Sequence, residues 1–337
     1  MEFDKPKVPP GMVPEIVAAF DAGNVLEIEY LGGVPNVTYR VLTNNQHLAV
    51  RISNHGYTSP DHLKSELDIL QHLQSIGFEK SPCLIPGING NYLQGWMGYP
   101  VCATKYIAGL PGDKVDITPQ LCYEVGYYVA KMQIALSFYR GSTPKSESLS
   151  ERGMLMMKYF HRRAKKVGWK IDFDTIVKQW MKADKLLLSH RKELPEQIIH
   201  SDVWPPNIIC AENKINGIVD FDDWCFGPAI MDVCAPLIEF PMYYTKNFNE
   251  ELAFQLLKGY IKAKGKISRP EQELIITGME VGCAMWLACN ALHEVSFEES
   301  ETYVYKLALF TDQTSRMKFY KKINEIINAA SSEIGND

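Results

Sequence analysis

The stretch from Ile198 to Asp223, I-I-H-S-D-V-W-P-P-N-I-I-C-A-E-N-K-I-N-G-I-V-D-F-D-D, leaves few folds open to this chain. Two aliphatics begin it, and His200, Asp202 and Asn207 follow on a short loop. Ile208, Ile209 and Cys210 then read as an apolar strand, Asn213 to Gly217 as a turn, and Ile218 and Val219 as a second strand ending at Asp220. Polar side chains fall where strands end, the pattern of a strand–loop–strand–turn–strand unit. Such a hairpin is expected to bring Asp202, Asn207 and Asp220 into one small space. Two carboxylates and a carboxamide offer only oxygen ligands, which suit hard Mg²⁺ far better than zinc.

The arrangement His200-x-Asp202-x-x-x-x-Asn207, followed by Asp220-Phe221, resembles the catalytic segment of kinases with the protein-kinase fold. It is most similar to the aminoglycoside phosphotransferase and choline kinase superfamily, whose members carry H-x-D where protein kinases have H-R-D. The resemblance implies that Asp202 accepts the proton of an attacking hydroxyl. It also implies that Asn207 and Asp220 hold Mg²⁺ on the phosphates of ATP, with His200 bracing the loop from behind. Phosphoryl transfer asks mainly for positioning and charge neutralisation, with one base aimed at the nucleophile. The competing reading is an ordinary turn, because His, Asp and Asn side chains bond nearby backbone groups. An aspartate closing an apolar strand one hairpin later favours the kinase-type site.

Asp222 stands where many relatives have glycine. The doubled aspartate Asp222-Asp223 resembles a branch containing type II homoserine kinases and bacterial stress-response Ser/Thr kinases. Either acid is a candidate for an added contact near the metal, and Asp232 for a structural anchor of the catalytic loop.

Length and composition set the outer limits. A chain of 337 residues has ample material for a core, as one large domain or two modest ones. A net charge of -5 gives no electrostatic reason to expect nucleic acid or an anionic membrane surface as a partner. No uncharged apolar run approaches the length of a membrane span, and the N-terminus lacks the apolar core of a secretory signal. Eight cysteines are scattered among aliphatics with no Cys-x-x-Cys pair, the pattern of buried free thiols in a reducing cytoplasm.

Taken in order, residues 12–22 read as an amphipathic helix, and 25–30, 38–42 and 48–52 as three antiparallel strands. The turn between the first two carries Gly32, Gly33 and Asn36. Under the resemblance, its backbone amides approach the phosphates; taken alone, it is a plain hairpin turn. Arg51 matches the basic residue that contacts the α- and β-phosphates, in place of the lysine of protein kinases. Ser59-Pro60-Asp61 opens a helix to about Ile76, with Glu66 as the candidate ion-pair partner of Arg51. Residues 101–107 resemble the last small-lobe strand running into the hinge, so Lys105, Tyr106 and Ile107 would flank the adenine.

Beyond the hinge, helices are expected at 118–138, 153–167, 174–188, 250–264, 269–294 and 301–330, the last with a break or two. Residues 141–152 read as a flexible loop and His161 to Lys166 as a solvated basic face. Gln133 stands where relatives often end their first large-lobe helix with histidine. Glu280, His293 and Glu294 sit in or beside the apolar segment 274–293, and a carboxylate there is a candidate for meeting a substrate amine.

The expected fold is a two-lobed, protein-kinase-like α+β architecture. Residues 1–105 would form an antiparallel nucleotide-binding lobe and 106–337 a helical lobe for catalysis and the acceptor. The expected acceptor is a small hydroxyl compound, an amino alcohol such as homoserine or an aminoglycoside-like molecule. No Ala-Pro-Glu-type segment follows Asp220, which favours small acceptors over proteins. A Ser/Thr protein kinase and a non-catalytic nucleotide-binding regulator are the alternatives.

Overall fold

The computed structural model describes residues 8–33, 36–54, 59–141, 148–212, 214–243, 245–264 and 266–336. Two compact units result. The first comprises Met1–Gly109, Tyr139–Ser142 and Asn216–Asp222, and the second the remainder.

In the first unit, helix α1 (Val13–Ala18) precedes an antiparallel sheet. Strands β1 (Val25–Gly32), β2 (Val37–Thr43) and β3 (His47–Ile52) form the meander expected from their alternation. Helix α2 (Pro60–Ser75) follows, then β4 (Leu84–Ile85), β5 (Gln94–Trp96) and β6 (Tyr99–Lys105). The strand order is β1-β2-β3-β6-β4, with β5 on β6. Val37, Tyr39 and Val41 of β2 and Leu48, Val50 and Ile52 of β3 are buried, and the alternation turns Arg51 to the other face. Strand register sets Arg51 opposite Thr38 and Cys102. Ser59 caps α2, its hydroxyl accepting the His62 amide at 3.1 Å. Four buried leucines, 63, 67, 70 and 73, hold the helix down, each contributing about 1.5–3 kcal/mol. The first helix is shorter than expected, because Asp21 and Gly23 turn to positive φ.

The second unit begins with β7 (Leu110–Pro111), followed by α3 (Pro119–Leu136), α4 (Leu149–Lys166) and α5 (Phe173–Ser189). Strands β8 (Glu196–Ile199), β9 (Ile208–Ala211), β10 (Lys214–Ile218) and β11 (Cys225–Pro228) come next, with residues 216–218 of β10 counted in the first unit. Helices α6 (Met231–Glu239), α7 (Glu250–Lys264), α8 (Arg269–Leu292), α9 (Phe297–Thr311) and α10 (Gln313–Asn336) complete the chain. The α3–α7 crossing brings backbones together: a Cβ at Gly126 would strike the Leu256 carbonyl, and one at Gly259 the Tyr123 carbonyl.

α8 is long and apolar enough to cross a membrane, but 72% of its most apolar window is buried within the protein. It serves as the core helix of this unit. The break expected near the C-terminus falls at Asp312, whose carboxylate accepts the Ser315 amide at 2.8 Å.

Three expectations are corrected here. The segment 141–152 is not loop throughout: Ser148 caps α4, which starts at Leu149, and the intervening positions 142–147 lie outside the described residues. Lys214 to Gly217 are strand rather than turn, with positive φ confined to Glu212 before them; Asn213 lies outside the described residues. Gly217 fits a strand because the Ile107 side chain occupies the space of its missing Cβ, 2.6 Å away. The basic run on α4 is not wholly solvated, since Arg163 is buried and pairs with Glu294 at 3.4 Å. All eight cysteines are free.

Candidate active site

In the second unit, β8 and β11 pair antiparallel, with Ile199 opposite Cys225, so the chain before the His200 loop runs beside the chain after Asp223. The loop from His200 to Asn207 is held from below. His200 is fully buried, and its Nδ1 accepts the Asp202 amide at 3.3 Å, which leaves the ring proton on Nε2. Asp232, also fully buried, accepts the amides of His200 (3.0 Å) and Ser201 (2.8 Å), as an anchor of this loop should. Burial pushes its carboxyl up to about 6 against an ordinary 3.8, the two amides and Lys264 acting in the opposite direction. Ser201 has φ of +61°, a conformation costly for a residue with a side chain, immediately before Asp202.

Asn207 donates through Nδ2 to the Asp202 carboxylate (2.6 Å) and carbonyl (3.0 Å). Both amide hydrogens are thereby committed, leaving Oδ1 as the atom that could meet a cation. Trp204, inside the same loop, packs on Trp286 at 4.8 Å, and Trp286 stacks on Tyr303.

Arg152 of α4 grips the segment after Asp220: its guanidinium donates to the Asp223 carboxylate (2.5 Å) and to the carbonyls of Asp223 and Trp224. The Ser201 hydroxyl donates to the same Asp223 carbonyl at 2.5 Å. Sequence reasoning missed Arg152, having read its surroundings as flexible loop; the only signal was Ser148, a good helix cap. Gln133 donates to the Ala229 carbonyl and accepts from Tyr260 and Lys264, so it serves packing beneath β11. Glu280 is taken by Arg316 and Glu294 by Lys166, so both carboxylates considered for a substrate amine already have cationic partners.

The first unit carries Gly32, Gly33, Asn36, Arg51, Glu66, Lys105, Tyr106, Ile107 and Asp220. Arg51 and Glu66 form the expected ion pair, at 2.5 Å. Burial pushes the Glu66 carboxyl up against the pull of Arg51; burial also works against the Arg51 charge, and Glu66, Cys102 and Asp222 together more than offset it. Arg51 Nε is buried with no hydrogen-bond partner among the described residues. Gly32 and Gly33 have φ of +109° and +115°, and a Cβ on Gly33 would come within 2.5 Å of the Asn36 carbonyl, so the turn requires glycine there. Asn36 is buried with both ends of its carboxamide engaged, by Asp222 (2.8 Å) and by the Asn54 amide (3.0 Å).

At the expected hinge, the Lys105 amide donates to the Cys83 carbonyl and the Tyr106 amide to that of His47. The Tyr106 ring lies 4.3 Å from the His47 ring, and Ile107 packs on Gly217. Asp220 adopts φ of +68° at the end of the hairpin. Among the described residues no group of three or more His, Cys, Asp and Glu side chains gathers as a metal cluster.

An antiparallel sheet with a buried Arg–Glu pair, joined to a helical unit bearing an anchored H-x-D loop, defines the two-lobed α+β fold of protein-kinase-like enzymes. Solved structures agree: the amicoumacin kinase hAmiN, in complex with AMP-PNP, Ca²⁺ and Ami, superposes with a TM-score of 0.71 at 16% identity, covering 91% of this chain and 94% of that one. A microcompartment-associated aminopropanol kinase gives 0.67 at 17% identity, covering 91% and 98%. The sequence model of the phosphotransferase enzyme family matches residues 28–268, and the chain belongs to that family. It is a kinase. A homoserine kinase of Methylobacillus flagellatus is 26% identical over 64% of this chain, which spans 63% of that relative's length.

Proposed function

We propose that this protein transfers the γ-phosphoryl group of ATP to a hydroxyl of a small polar amino compound, an amino alcohol or hydroxy amino acid such as homoserine. The observation that carries the reading is the Asp202–Asn207 contact: a carboxylate held at 2.6 Å by a carboxamide whose own oxygen remains for a cation.

In this reading Asp202 takes the proton of the acceptor hydroxyl as the new O–P bond forms and the bond to ADP breaks. Asn207 and Asp220 hold the divalent ion, and their oxygen donors fit hard Mg²⁺. When bound, the ion would neutralise charge on the phosphates. Arg51, paired with Glu66 and with part of its side chain exposed, offers its guanidinium to a phosphate oxygen. The amides about Gly32, Gly33 and Asn36 approach the same phosphates, and Lys105 to Ile107 flank the base. Of those three, Ile107 has its amide outside any backbone hydrogen bond among the described residues.

Two observations favour a small acceptor over a protein. Only ten residues, Phe221 to Ile230, separate Asp220 from α6, and they are spent on a short helical turn and on β11, with no loop of the size that docks peptides. Trp204, in the same loop as Asp202, and Trp286 packed on it are half-buried and give aromatic faces of the kind an alkylammonium packs against. The relatives' names, homoserine and aminopropanol kinase, agree with an amino acceptor.

The test is ADP release with Mg²⁺·ATP across hydroxy amino acids, amino alcohols, aminoglycosides and sugars, beside labelled ATP with mixed cell protein. Turnover with an amino-bearing hydroxyl compound supports the reading. Label transferred to protein alone would replace it with a protein kinase, and no Mg²⁺·ATP-induced thermal shift would replace it with a non-catalytic fold.

A further inference from the structure

Asp222 occupies the place where the resemblance leads one to expect glycine, and its bonds say what the substitution does. Its carboxylate accepts the Nδ2–H of Asn36 at 2.8 Å, across 186 positions of chain. Its carbonyl accepts Nε2–H of His62 from α2 at 2.7 Å. Asn36 in turn receives the Asn54 amide on its Oδ1, so one buried carboxamide ties the start of β2 to the end of β3 and to Asp222. The glycine turn rests on this point, since Gly33 packs against the Asn36 carbonyl.

We propose that Asp222 is a positioning residue for the nucleotide: it holds Asn36, and through Asn36 the Gly32–Gly33 turn, in the shape that receives the phosphates. This rests on the nucleotide reading above. The alternative role, direct ligation of the metal, would require the carboxylate to leave Asn36. A bond to a carboxylate is among the stronger hydrogen bonds, and here it is shielded on the Asn36 side by burial. Asp222 also bears electrostatically on the Arg51–Glu66 pair, so the carboxylate joins the turn to the residue assigned to the phosphates.

The amide–carboxylate pair can be exchanged, which makes the test decisive. Binding of AMP-PNP to the full chain is measured by calorimetry, with Mg²⁺ and with EDTA. Asn36→Asp places two carboxylates face to face and is expected to weaken binding about tenfold in both conditions. Asp222→Asn keeps an acceptor oxygen for Asn36 and should stay within about threefold of wild type. The exchange of both, Asn36→Asp with Asp222→Asn, restores the pair with donor and acceptor reversed and should recover affinity to within about threefold.

Should Asn36→Asp fail to fold by thermal unfolding, the Asn36→Ala and Asp222→Ala cycle replaces it, and the double variant should be no weaker than either single one. An exchanged protein as weak as Asn36→Asp, or additive alanine losses, would overturn the proposal. So would a loss in Asp222→Asn seen only with Mg²⁺, which would make Asp222 a metal ligand. Wild-type protein that binds no nucleotide would overturn the proposal together with the reading beneath it, a result distinct from each of these.

Discussion

Arg51 Nη2 lies 2.5 Å from Glu66 Oε2, with the carboxylate side chain only 2% exposed. A buried pair of this kind adds little net stability over an apolar pair, yet losing one partner strands a charge. Glu66→Ala should therefore destabilise the protein by about 3–5 kcal/mol, and Glu66→Gln, which keeps a hydrogen bond, by less. Urea unfolding measures both; equal midpoints for Glu66→Ala and wild type would show that Arg51 does not depend on Glu66. Nucleotide affinity should fall alongside, since the released guanidinium loses its aim.

Asp202→Ala should abolish transfer and leave nucleotide binding largely intact, because the proposed base would touch the acceptor and not ATP. Removing a general base typically costs about 10²–10⁴ in turnover. Asp220→Ala should instead weaken the metal-dependent part of nucleotide binding. Single-turnover kinetics and calorimetry separate the two, and an Asp202→Ala enzyme working at the wild-type rate would remove Asp202 from the chemistry.

Asp232 gives a pH signature. Its carboxyl titrates at about 6 in the folded protein against an ordinary 3.8, so the folded state holds the proton more tightly than the unfolded one. Its contribution to stability is full below pH 3.8 and lost as pH rises through 6. The stability difference between wild type and Asp232→Asn should thus shift against wild type by about 2 kcal/mol between pH 4 and pH 7.5. A difference flat with pH in denaturant titrations would show that the carboxyl is not perturbed by burial.

Gly259→Ala tests the closest helix crossing. The added methyl meets the Tyr123 carbonyl across α3 and α7, and forcing the backbones apart should cost about 1–3 kcal/mol, outweighing the better helix propensity of alanine. A rise in Tm would mean that the crossing has slack.

Much of the fold could be read in advance because its signals are local. Alternation in β2 and β3 marked the strands and the face that Arg51 takes; the leucine stripe of α2 marked the helix that carries Glu66. The ion pair between them followed from the kinase resemblance. Asp232 was legible as an anchor, and the structure supplies its partners, two backbone amides that no side-chain pattern announces. Gly217 misled, since glycine normally interrupts a strand, and only the Ile107 side chain packed against it explains why it does not. Arg152 was hidden for a similar reason: its three bonds go to residues 71 and 72 positions away, one of them to a side chain and two to carbonyls.

The sequence by itself determined the chemical inventory: an H-x-D loop with an asparagine five residues beyond its aspartate, a hairpin ending in aspartate, a basic residue on the third strand, and no apolar excess outside the core helices. Tertiary structure decided how the acids were distributed among partners. Asp222 went to Asn36, Asp223 to Arg152, Asp232 to the loop amides, and Glu280 and Glu294 to basic residues of other helices. The spacing of charges along a chain sets which can share a loop. Which of them meet a partner depends on burial and on contacts between distant segments, where desolvation makes each unpaired charge costly enough to select one arrangement.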